Sequence, residues 1–104
     1  MSAPIPTIWK YPLTITDEQT VEMPAGARLL SAQFQAGELV LWAMVEPYGP
    51  RVARTVRVIG TGNTFSLPPG CAYVATAQEP LRPLVWHVFV DDETPSPTLQ
   101  SDGA

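Results

Sequence analysis

LLSAQFQAGELVLWAMV, residues 29–45, is the stretch whose reading decides the fold class. Two β-forming runs flank Ala36-Gly37, and a glycine in a two-residue connection is what a tight hairpin needs. Pairing Gln35 with Glu38 sets the register by counting: Phe34 faces Leu39, Ala32 faces Leu41 and Leu30 faces Ala43. Side chains alternate along a strand, so Leu30, Ala32, Phe34, Leu39, Leu41, Ala43 and Val45 form one apolar face. The other face sets Ser31, Gln33 and Gln35 beside Val40, Trp42 and Met44. That second row is apolar and lacks an obvious covering strand: cover by a second subunit or a ligand would place the function there, and cover by the same chain would count against it.

Working outward, twelve prolines and seven glycines cut the 104-residue chain into short pieces. The pieces favour Val, Thr, Trp and Phe with period two, which suits strands and leaves helix negligible room. Thr7 to Leu13 reads as a strand with Trp9, Tyr11 and Leu13 on one side, and Pro12 places it at an edge. Thr16 to Gln19 has capping-box spacing and allows one helical turn at most. Val21 and Met23 point inward before a Pro24-Ala25-Gly26 turn. Val52 to Ile59 is the next strand, broken by Gly60-Thr61-Gly62-Asn63. Thr64 to Ser66 reads as a strand fragment and Ala72 to Gln78 as a strand. Leu84 to Val90, apolar on both faces, reads as a central strand. About seven short strands with turns between them predict an all-β fold, a small antiparallel sandwich or barrel. Residues 1–90 form the domain, after a loose arm at 1–6. Residues 91–104 are expected to be a disordered acidic Pro/Ser-rich tail.

Charge narrows the function classes. Of ten acids, Asp91, Asp92, Glu93 and Asp102 lie in that tail, which leaves residues 1–90 with six acids against six bases. A neutral domain has no general field for nucleic acid, so extended DNA binding is not expected. A single cysteine, Cys71, fits a reducing compartment. No leader pattern or apolar run of membrane length is seen, so a cytoplasmic protein without membrane contact is expected.

Catalytic signatures are sparse. Gly60-Thr-Gly-Asn lacks the spacing and the Lys-Ser/Thr of a phosphate loop and reads as a turn. His87 has no partner at metal-ligand spacing and reads as a structural histidine bonded to a carbonyl or a strand neighbour. A hydrolase using His87 is the minor alternative. Cys71 reads as a small apolar residue at a strand start. No catalytic set, metal site or cofactor is expected.

Two features remain. Arg51, Arg54 and Arg57 are half of the basic residues. They serve either as surface charges paired with Glu38 or Glu46, or as an anion clamp. The aromatics Trp9, Tyr11, Trp42, Tyr48 and Trp86 exceed what one small core uses, which points to an interface or a stacking pocket. Together they predict a non-enzymatic homo-oligomeric binding protein. Its ligand is a small anionic, nucleotide-like molecule held by Trp9, Trp42, Arg54 and Arg57. A structural or adaptor protein that binds another protein is the alternative.

The text Thr7-Ile-Trp-Lys-Tyr-Pro-Leu, Ile15-Thr-Asp-Glu-Gln-Thr, Glu22-Met-Pro-Ala-Gly-Ala, Leu41-Trp-Ala, Gly60-Thr-Gly and His87-Val-Phe resembles a family of small uncharacterised bacteriophage and prophage proteins. The resemblance spans residues 7–90 and brings no established activity. It implies a phage-encoded accessory factor in the host cytoplasm, acting on a host or phage partner or sequestering a nucleotide signal as a counter-defence.

Overall fold

A computed structural model describes residues 5–91 and 94–95. Eight strands follow in chain order: β1 Thr7–Pro12, β2 Gln19–Pro24, β3 Arg28–Gln35, β4 Glu38–Val45, β5 Arg51–Gly60, β6 Ala72–Gln78, β7 Val85–Val90 and the two-residue β8 Thr94–Pro95. All pairings are antiparallel. Sheet A has the order β1-β4-β3, and sheet B has the order β2-β5-β7-β6 with β8 also on β5. The fold is all-β, with no helix among the described residues and therefore none able to cross a membrane. β3 lies against β6, with the Gln33 amide donating to the Thr76 carbonyl at 3.4 Å, so the sheets meet along one seam.

The hairpin forms as its residues dictate over most of its length. Ala36 and Gly37 have φ of 51° and 84°, the doubly positive pattern of a type I′ turn. The pairs Gln35–Glu38, Phe34–Leu39 and Ala32–Leu41 are present. Beyond them a β-bulge at Leu30 slips the register, and Leu29 instead faces Ala43. Leu29 packs on the core, while Leu30 is 43% exposed. Period-two counting cannot see an inserted residue, which is why the expected Leu30–Ala43 pair fails.

The core lies between the sheets. Ala32, Leu39, Leu41, Ala43 and Val45 from sheet A meet Met23, Val56, Val58, Ala75, Ala77, Val88 and Val90 from sheet B. Leu13 closes one side, and Trp9, Tyr11 and Trp86 pack partly buried against the cluster. The Tyr11 hydroxyl is buried without a hydrogen-bond partner among the described residues. Burial pushes its pKa up against the opposing charge of Arg51. β1 is the edge strand that Pro12 implied.

Other expectations are corrected. Residues 15–17 form bends and no helical turn. Gln19 caps the segment itself: its amide donates to the Thr14 carbonyl at 2.7 Å, and its oxygen accepts the Thr14 N–H at 3.1 Å. Thr64 to Ser66 is loop, not strand. The sheet also runs past Val90, because the Asp91 N–H donates to the Thr55 carbonyl and β8 pairs with Val52 and Ala53. Residues 1–4 of the expected arm at 1–6, and the rest of the expected tail, lie outside the described residues.

Candidate functional site

Strand alternation sorts the expected site residues onto different surfaces. Trp9 pairs with Ala43 and faces inward, with the Arg51 guanidinium 5.4 Å from its ring. Trp42 pairs with Lys10 and Ser31 on the outer face of sheet A. Arg54 points between the sheets, its Nε donating to the Asp91 carbonyl at 3.3 Å and its Nη1 to the Ala27 carbonyl at 3.4 Å. Arg57 lies on the outer face of sheet B, opposite Phe89. One protomer therefore does not gather these four side chains around a single ligand.

Arg57 is held by Asp91 and Glu18 rather than by Glu38 or Glu46. Its Nε and Nη2 donate to the two Asp91 oxygens, each at 3.1 Å, and Nη1 reaches Glu18 at 3.3 Å. Such a fork uses three of the five guanidinium N–H donors and pairs its charge with two carboxylates. Cys71, read from sequence as a small apolar residue, donates its thiol to Asp91 Oδ1 at 3.1 Å. The Arg57 fork holds the Asp91 carboxyl below its ordinary range, and burial opposes that shift. Burial pushes the Cys71 thiol up, and its bond to Asp91 adds to this.

With its folded pKa depressed, Asp91 binds protons more readily in the unfolded chain. Its contribution is complete above the ordinary aspartate value of about 4 and is lost as pH falls through the lower folded value. Denaturant midpoints of the wild type should drop between about pH 5 and pH 2, and Asp91→Asn should drop less from a lower start. Glu79, lowered by the Arg82 fork and then by Trp86, acts in the same direction and leaves a residual slope. Equal slopes for both proteins would show that the fork does not form.

The same face carries a cluster of aromatic rings beside a hydrogen-bonded histidine. His87 bonds Thr76, its cross-strand neighbour, through Nδ1 at 3.0 Å and Thr61 through Nε2 at 2.7 Å. The Tyr73 hydroxyl meets Thr76 Oγ1 at 2.8 Å. Phe89 sits between Phe65 and Tyr73, with ring centres 5.9 and 5.7 Å away. Phe65 and Tyr73 are more than half exposed. The loop from Gly60 to Ser66 folds over this face and makes two adjoining hollows. One, about 220 Å3, is lined by Asp17, Arg57, Ile59, Asn63, Phe65 and neighbours. The other, about 290 Å3, is lined by Ile59, Thr61, Asn63, Phe65, His87 and Phe89.

A larger hollow of about 740 Å3 lies at the hairpin end, between Phe34, Ala36, Gly37 and the Glu79–Arg82 loop. Its ionic groups are satisfied among themselves: Arg82 forks onto Glu79 at 2.7 and 2.9 Å, and the Trp86 indole donates to Glu79 at 2.9 Å. Few polar groups remain there to orient a ligand. No three His, Cys, Asp or Glu converge as a metal site among the described residues.

Phe65, Tyr73 and Phe89 were not singled out from sequence. Alternation along β7 does place His87 and Phe89 on one face. Their meeting with Tyr73 depends on the β6–β7 register, which is bulged between Tyr73 and Ala75. Phe65 reaches them only because its loop folds back.

A family model described as a domain of unknown function, DUF7352, matches residues 5–98. The chain belongs to this family. No curated protein and no solved structure matches it. The family match extends past Val90 to residue 98, and the pairing of Thr94 and Pro95 with β5 also lies past Val90.

Proposed function

We propose that this DUF7352 protein is a non-enzymatic binding protein whose outer sheet B face takes a small planar, polar-edged ring of the nucleobase class. The observation that carries the reading is the Phe65–Phe89–Tyr73 cluster beside His87, Thr61 and Asn63. Phenyl faces stack on a flat ring, and the Asn63 amide, which lines both hollows, reads its edge. Size supports a single ring system, since the hollows, about 220 and 290 Å3, both lie below the roughly 300 Å3 at which small-molecule pockets begin. The reading is non-enzymatic because both His87 nitrogens are engaged by threonine hydroxyls, with no carboxylate bonded to it among the described residues. Triad chemistry uses such a group to orient the base.

The anionic part of the sequence expectation changes weight. Arg57 is charge-balanced by Asp91 and Glu18, so the ring, not the phosphate, supplies the affinity. The resemblance to small phage proteins supports placing the activity in an infected cell, as sequestration of a nucleotide-derived signal in counter-defence.

Titration calorimetry with the four nucleosides and their 5′-monophosphates tests this. At least one nucleoside should bind, with its phosphate no tighter than about threefold. Phe65→Ala should weaken binding roughly 5- to 100-fold, the range of a lost base stack of about 1–3 kcal/mol. No binding at millimolar concentration to the folded protein would remove the proposal.

A further inference from the structure

The outer face of sheet A lies on the other side of the molecule and carries a different feature. Its rows run Ile8–Met44–Arg28, Lys10–Trp42–Ser31, Pro12–Val40–Gln33 and Glu38–Gln35. Val40 is only 2% exposed although it lies outside the core cluster. Its cover is internal: Lys10 Nζ donates to Gln35 Oε1 at 2.8 Å, and a bond from β1 to β3 must cross β4 above Val40. Trp42 and Met44 are half-buried, and Ile8 is 57% exposed. Arg28 at one end and Glu38 at the other form no ion pair among the described residues.

We infer that this face pairs with the same face of a second copy of the chain. An isologous contact needs a self-complementary surface. A two-fold axis in the interface plane and across the strands lays the first row over the partner's last. Arg28 then lies over the partner subunit's Gln35, one strand spacing of about 4.8 Å from the partner subunit's Glu38 and within reach of it, twice per dimer. Trp42 lies over the Lys10–Gln35 bond that covers the partner subunit's Val40. The other in-plane axis, along the strands, sets Arg28 over the partner subunit's Ile8 and forms no such pair. Opposite charges at opposite ends therefore select one docking arrangement. Strands spaced about 4.8 Å and about 20 Å long give a face of a few hundred Å2 per protomer. That is below the roughly 800 Å2 per partner of a standard interface, so the dimer is a weak and reversible one. The contact leaves the sheet B face open in both copies, and it does not rest on the ligand reading.

Sedimentation equilibrium of the full chain from about 1 to 200 μM tests this. A monomer–dimer equilibrium is expected, with Met44→Glu monomeric and unchanged in circular dichroism. Arg28→Glu and Glu38→Arg should each weaken the dimer at least about tenfold, and the double exchange should restore it, because like charges repel and swapped charges attract. A monomer at every concentration, a dimer indifferent to Met44→Glu, or a double exchange as weak as the singles would each overturn the inference.

Discussion

Leu41→Ala is expected to remove about 3–4 kcal/mol of stability, a large share of the 5–15 kcal/mol that holds a domain together. Leu41 is fully buried in β4, the central strand of sheet A, and pairs with Tyr11 on one side and Ala32 on the other. Ala32 is too small to fill the space that truncation opens. Tyr11 is held in its row by β1 pairing on both sides of it. Limited collapse keeps most of the cavity, and the residual cavity sets the upper part of the cost. Leu30→Ala supplies the contrast. With Leu30 on the core face, as unbroken alternation requires, the two truncations would cost alike. With Leu30 lifted out at the bulge, the change should stay within about 0.5 kcal/mol, as for surface substitutions generally. Denaturant unfolding of both variants decides it: equal losses would place Leu30 in the core and remove the bulge.

That contrast marks where residues alone speak and where they fall silent. Local rules were enough for the turn at Ala36-Gly37, the edge position of Pro12 and the central place of Val85–Val90, because each depends on neighbours within a few positions. The bulges at Leu30 and Val74 were not legible, since alternation continues across an inserted residue without any compositional mark. Cys71 looked apolar because its partner, Asp91, is twenty positions away and past the boundary drawn at Val90. The arginines were legible as a cluster, and strand parity put Arg54 and Arg57 on opposite faces. Their partners in loops and at strand ends were not. The aromatic face of sheet B was hidden for the same reason. It is assembled by the register of three strands and by a loop that doubles back, and no single stretch carries it.

Gly60 ties stability to that face. A Cβ at this position would lie 3.0 Å from Trp86 Cζ3 and 3.0 Å from Asn63 Nδ2. The asparagine amide is the end of a flexible side chain and can move. The indole cannot move freely, because its Nε1 donates to Glu79, itself gripped by Arg82. Gly60→Ala would by itself stabilise by about 0.4–1 kcal/mol, through a less flexible unfolded chain. Overpacking against a held ring costs about 1–3 kcal/mol, so a net loss is expected. Trp86→Leu removes Cζ3, and on that background Gly60→Ala should be neutral or stabilising, a coupling that a double-mutant cycle measures. Gly60 also opens the loop that carries Asn63 and Phe65. Relief of the clash by shifting this loop, rather than the indole, displaces Phe65 from Phe89. Gly60→Ala should then weaken nucleoside binding while Trp86 is in place, and combining it with Trp86→Leu should restore that binding. A stabilised Gly60→Ala protein with the wild-type indole would show that the strand and the ring are not in contact.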